Sequence, residues 1–160
     1  MAALCLAHAH SLAAMVARLT VVSEKWSDGH EIASEVIGRS DEAISDSLAL
    51  ADRDADAFDS VMAAYRMPKN KGSRESRRQA IREATIGAAV VPLETLVSAS
   101  ELLHRLLELS RECNSNALTD LASSAELAHT AARMAEMNVR INTDYLDGED
   151  VDEIEHSANE

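Results

Sequence analysis

Residues 114–142 read "NSNALTDLASSAELAHTAARMAEMNVRIN": a short polar cluster, then a long run of small and apolar residues broken by charges at helical spacing. Asn114 suits a turn and Asn116 an N-cap. Asp120 falls in the first turn of the helix that such a cap would start, where free backbone N–H groups and the helix dipole favour a negative charge. The stretch therefore predicts a long helix over about 117–145. The same polar residues could instead form the wall of a ligand pocket, and their chemistry alone leaves both readings open.

Spacing limits the second reading. From Asp120 to Asn138 is eighteen residues, or five turns, so the two point the same way but stand about 27 Å apart along the axis. One small ligand cannot touch both within one subunit. If two copies of this helix paired antiparallel, Asp120 of one would approach Asn138 of the other, at a site shared between subunits.

Three further long helices are expected on the N-terminal side of this stretch. The first covers about 2–25, with Leu4, His8, Ser11, Leu12, Met15, Leu19, Val22 and Trp26 on one stripe. The second covers about 31–67, where Pro68 forbids continuation. The third runs from an N-cap at Ser73 to about 111. Pro92 lies inside it, removes one backbone donor and so leaves the Ala88 carbonyl free, either as plain architecture or as a ligand contact. Only 2% of residues are aromatic while 46% are hydrophobic, so the apolar content is Ala, Leu, Val, Ile and Met, which suits closely packed helices. The expected fold is all-α, a bundle of long antiparallel helices over residues 1–145, and then an acidic tail, frayed or weakly helical, at 146–160. Faces rich in Ala and Ser leave surface for a second copy, so a homodimer is expected.

The formal charge of −13 is uneven, because residues 144–160 hold eight acidic side chains and no Lys or Arg. Residues 66–82, by contrast, carry seven basic residues against Glu75 alone. Such a stretch attracts anions, but with so few aromatics to stack on bases no nucleic-acid partner is expected. Cys5 and Cys113 are too few for a disulfide framework or zinc site, and His8, His10, His104 and His129 lack metal-ligand spacing. The start of the chain lacks the basic n-region of a signal peptide, and no run of about 20 apolar residues suggests a membrane span. A cytoplasmic protein is expected.

In 50–65, Leu50, Asp54, Phe58, Val61 and Tyr65 share one helical stripe, which puts the carboxylate of Asp54 in a core row. Buried unpaired it would be costly, so it requires a cation such as Arg18 or Arg140, or a pocket that it faces.

Four blocks, "AAMVARLT" (13–20), "DADAFDSVMAAYRMPK" (54–69), "AAVVPLET" (88–95) and residues 114–142, together resemble the cyclodeaminase domain of formiminotransferase-cyclodeaminases and the bacterial methenyltetrahydrofolate cyclohydrolases. The resemblance covers nearly the whole chain in order. It implies an all-helical dimer with its pocket near the subunit interface, a tetrahydrofolate derivative as substrate, and no metal or redox cofactor. By motif, Asp120 is the first candidate for general acid or base, Asp54 for proton transfer or orientation, and Lys69 for the folate carboxylate or the reacting nitrogen. Asn114, Asn116, Thr119, Asn138 and Asn142 are candidate substrate-binding residues, and Arg18 and Arg140 complete the set as cations. One departure is that the glycine-rich segment usual before the first helix does not appear, and Leu6 and Ala9 stand where glycines are common. The alternative is therefore a noncatalytic helical dimer that binds folate or another small anion.

Overall fold

The computed structural model describes residues 1–159, and among these all regular structure is helical. Helix α1 spans Ala2–Val21, α2 His30–Arg66, α3 Arg74–Leu109, α4 Leu118–Thr143 and α5 Glu149–Asn159. Short 3₁₀ turns at Glu24–Gly29 and Ser115–Ala117 precede α2 and α4.

Helices α1 to α4 form an antiparallel bundle in which α1 packs on α2 and α4, and α3 packs on the same two from the opposite corner. The direction is fixed by pairs along the seams. His10 meets Ser40 while Ala3 packs with Leu50, and Arg53 reaches Glu94 while Arg105 reaches Glu35. Alanines make the close approach possible. Ala9, Ala13, Ala17, Ala33, Ala99, Ala128 and Ala131 are fully buried among Leu6, Val16, Val36, Leu102 and Leu109. Between helices Ser124 Oγ, also buried, donates to the Ala9 carbonyl at 2.7 Å, so the α1–α4 seam keeps its polar group satisfied.

Two glycines are required by geometry. A Cβ on Gly29 would lie 2.3 Å from the Glu112 carbonyl oxygen, where the turn before α2 crosses the end of α3. Gly148 has φ +133° and no room beside Arg82 and Asp150.

Three expectations are corrected. First, α1 ends at Val21, and Trp26 belongs to the next turn. Second, its core stripe is the opposite one: Ala2, Leu6, Ala9, Ala13, Val16, Ala17 and Thr20 face inward, while Leu4, Met15, Leu19 and Val22 lie on the outer face. Alanine buries little area per residue but allows helix axes to approach, which here outweighs the larger apolar side chains opposite. Third, the acidic tail is ordered. Val151 and Ile154 are buried, Ile154 packing with Ala89 of α3 and Val139 of α4, and Arg82 pairs with Asp150 at 2.6 Å. By length and composition alone α1 and a window of α3 are long and apolar enough to cross a membrane, and both helices pack against other helices of the bundle, the α1 window with 56% and the α3 window with 33% of it buried. Ser73 does stand at the N-cap of α3, although its hydroxyl donates to the Pro68 carbonyl at 2.7 Å and accepts from no helix N–H.

Candidate functional site

Twenty residues make α1 about 30 Å long, whereas α2 and α3, at 37 and 36 residues, reach about 54 Å. The long pair therefore runs past the beginning of α1. There, between α2, α3 and α4, a cleft of about 590 Å³ opens, lined by Met1, Asp54, Phe58, Ala88, Asn138 and Asn142 among others. This volume lies within the range of small-molecule pockets.

Pro92 shapes one wall. It leaves the Ala88 carbonyl without its helical donor, as the sequence indicated, and α3 nevertheless continues through it. Asn142 Nδ2, from α4, donates to that carbonyl at 3.0 Å and to the Asn138 carbonyl at 2.9 Å. One amide thus closes the α3–α4 seam at the cleft. The Asn142 Oδ1 makes no hydrogen bond among the described residues and is available to a ligand donor.

Asp54 faces this cleft from α2, half-buried. Neither expected cation reaches it: Arg18 binds Asp41 at 2.6 Å and Arg140 binds Glu136 at 2.7 Å. Of its predicted core row, Leu50 is buried, but Phe58 is 62% exposed and Tyr65 52%. The row is the side of a cleft rather than a core ridge.

Asp120 lies elsewhere. It is half-buried in the first turn of α4 with no hydrogen bond or ion pair among the described residues, and Asn138 is on the same unbroken helix about 27 Å away. Around it the polar cluster has structural work. Asn114 Oδ1 accepts from the Asn116 backbone N–H at 3.0 Å, its Nδ2 donates to the Leu19 carbonyl at 3.1 Å, and its backbone N–H donates to Thr20 Oγ1 at 3.0 Å. Asn116 is thus not the N-cap: α4 starts from Ala117 without a side-chain cap, while Asn114 caps the 3₁₀ turn before it with Oδ1 and ties that turn to the end of α1 with Nδ2. Asn116 and Thr119 are exposed.

Lys69 forms a third group. Exposed in the α2–α3 loop, it lines a cationic depression of about 390 Å³ with Lys71, Arg74 and Arg77. The sequence puts Phe58 on the stripe of Asp54, but gives no grouping of these two with Met1, Asn138 and Asn142. The one available signal was the carbonyl freed by Pro92. Among the described residues, no three His, Cys, Asp or Glu side chains converge as a metal-ligand set.

A sequence model of formiminotransferase-cyclodeaminase matches residues 1–160. The chain belongs to this family. It is 29% identical over 138 residues to a methenyltetrahydrofolate cyclohydrolase of Methylorubrum extorquens, a match covering 86% of this chain and 66% of that protein. It is 31% identical over 133 residues to the formimidoyltransferase-cyclodeaminase of Rattus norvegicus, covering 82% of this chain and 25% of that one. The chain thus spans just under two thirds of the first relative's length and a quarter of the second's. The crystal structure of formiminotetrahydrofolate cyclodeaminase from Thermotoga maritima superposes with a TM-score of 0.81 at 26% identity, over 99% of this chain and 79% of that one. Within the family fold, then, the motif residues of this member fall into three groups along a single subunit.

Proposed function

We propose that this protein acts on a tetrahydrofolate derivative in the cytoplasm, as a methenyltetrahydrofolate cyclohydrolase or a formimidoyltetrahydrofolate cyclodeaminase. The observation that carries the reading is the cleft in which Asp54, Asn138 and Asn142, far apart in sequence, line one wall system of about 590 Å³. The relatives' names support the substrate class.

In the first reaction water adds to the methenyl carbon and the ring opens to the 10-formyl product. In the second, N10 adds to the formimino carbon and ammonia leaves. Both need a proton moved beside one electrophilic carbon, which a carboxylate held in a partly dry cleft can do. Asparagine side chains, offering donor and acceptor together, suit the amide edge of a pterin. The cationic loop at Lys69 suits the substrate's carboxylates.

The working unit in this reading is a homodimer. Leu4, Met15 and Leu19 on α1 and Met137 on the adjacent α4 are exposed apolar side chains, of the kind that an interface covers. Antiparallel pairing of two α4 helices would bring Asp120 of one protomer to the Asn138 end of its partner.

The test is turnover. The purified protein is expected to discharge the absorbance of 5,10-methenyltetrahydrofolate, or to release ammonia from 5-formiminotetrahydrofolate. Folate binding in calorimetry with neither turnover would replace this reading by a noncatalytic folate-binding dimer. That second reading draws on Asp120 having no access to the cleft of its own subunit.

A further inference from the structure

The cleft and the cationic depression lie along one line. On α2, Asp54, Phe58, Val61 and Tyr65 share a stripe at helical spacing, and the first three line the cleft. Tyr65 carries the line on to the depression. Arg77, which lines the depression from α3, donates from Nη2 to the Tyr65 carbonyl at 3.1 Å, and its guanidinium stands 5.8 Å from the centre of the Tyr65 ring. Eleven residues separate Asp54 from Tyr65 on α2 and Arg77 from Ala88 on α3, so on both helices the two sites stand about 16 Å apart along the axis.

The two ends differ in chemistry. At the far end Lys69, Lys71, Arg74 and Arg77 form no ion pair among the described residues, and no carboxylate lines the depression. Arg82, further along α3, is by contrast held by Asp150. A carbonyl and an aromatic ring fix Arg77 in place without neutralising it. Such a group of cations favours a ligand with more than one carboxylate. Between the ends stands Phe58, the one phenylalanine of the chain, 62% exposed. A single exposed apolar side chain means little by itself. This one lies on the cleft wall, one turn beyond Asp54 and two turns before Tyr65, about 6 Å and 10 Å along the axis.

A tetrahydrofolate has its parts in the same order. The reacting carbon adjoins N10, an aminobenzoyl ring follows N10, and a glutamate with two carboxylates closes the molecule about 10 Å on, counted over extended bonds of ordinary length. Resting on the function proposed above, we infer that the substrate lies along α2, with its reacting carbon beside Asp54, its aminobenzoyl ring stacked on Phe58 and its glutamate carboxylates on Arg77 and Lys69. The difference between about 10 Å and about 16 Å falls to the exposed Lys69, whose flexible four-carbon stem can reach back toward the cleft. Phe58 and Arg77 are then substrate contacts, and they recognise the end of the molecule that does not react.

The test uses p-aminobenzoyl-L-glutamate, which carries the ring and the glutamate without the pterin, in calorimetry with the full chain. It is expected to bind with a Kd of about 1 mM or lower, and p-aminobenzoate, which lacks the glutamate, about tenfold more weakly. Phe58→Leu keeps an apolar side chain at an exposed position and removes the ring. It should weaken the fragment about three- to tenfold, and Phe58→Tyr should retain wild-type affinity. Arg77→Gln should weaken it about tenfold with the far-ultraviolet circular dichroism unchanged, and Lys69→Gln, at an exposed loop position, repeats that test without touching Tyr65. Equal affinity in Phe58→Leu would overturn the stack. No binding of the fragment at about 10 mM, where a millimolar site is nearly saturated, would overturn the whole arrangement. Assaying methenyltetrahydrofolate turnover in the same preparation separates the two readings. Turnover without fragment binding removes this placement and leaves the activity standing, whereas Phe58-dependent fragment binding without turnover removes the activity and leaves the placement.

Discussion

The two ends of α4 are built in contrasting ways. At its C-terminal end Asn138 and Asn142 turn into a cleft shared with Asp54 on α2 and the carbonyl that Pro92 frees on α3. At its N-terminal end the half-buried Asp120 has no hydrogen bond or ion pair among the described residues, and the nearby Asn114 is engaged in fastening the turn to α1. One rigid helix holds both ends at a fixed distance. In the proposed function, then, motif residues that work together stand apart within one subunit, and a rod can bring its two ends together only by pairing with another rod.

The most severe test of this contrast removes the isolated end. Asp120→Asn is expected to slow methenyltetrahydrofolate hydrolysis by about 10²- to 10⁴-fold, the range for a lost general acid or base. Because Asp120 loses no ion pair or hydrogen bond, only its favourable place in the first turn of α4, stability should fall by no more than about 1 kcal/mol in urea unfolding, and unchanged turnover would end its catalytic assignment. A mixing experiment then asks which end works with which. Asp120→Asn and Asn138→Ala, each impaired alone, should regain about a quarter of wild-type activity when unfolded and refolded together in equal amounts, since half the dimers are mixed and each has one intact site. No recovery would place the two residues in separate functions.

The middle of the bundle should respond to acid. His10 has its pKa lowered from 6.5 to about 4 by burial. The unfolded chain therefore takes up a proton that the folded chain refuses, so stability is full above pH 6.5, falls as pH drops toward 4 and levels off below. The loss should approach about 3 kcal/mol. His10→Leu should flatten that part of the pH profile measured by urea unfolding. The smallest effect belongs to the cleft end: Asn142→Ala leaves the Ala88 carbonyl without its donor and should cost about 1–2 kcal/mol in the same assay. A cost near zero would mean that water replaces the amide freely.

Much of the fold was legible because its signals are local. Pro68 stops α2, Ser73 marks the start of α3, and the long periodic stretches could be nothing but helices. The inward face of α1 was not legible, since alanines score as apolar all around the helix and the larger residues Leu4, Met15 and Leu19 pull the reading outward. Helix α5 was hidden by its acids, which mask the two anchors Val151 and Ile154. At the site, spacing gave the distance between Asp120 and Asn138 correctly, and Pro92 pointed to the Ala88 carbonyl. That Asn142 would answer that carbonyl, or that Asp54 would look onto the same space, depends on how three helices meet. No single segment encodes that.

The Pro92–Ala88–Asn142 arrangement also couples two distant positions in descent. A lineage that replaced Pro92 with alanine would restore the helical N–H to Ala88 and turn Asn142 into a surplus donor. One that lost Asn142 first would make the proline harmful where it had been neutral. The two sites should therefore drift as a unit, with the order of substitution deciding which intermediates survive.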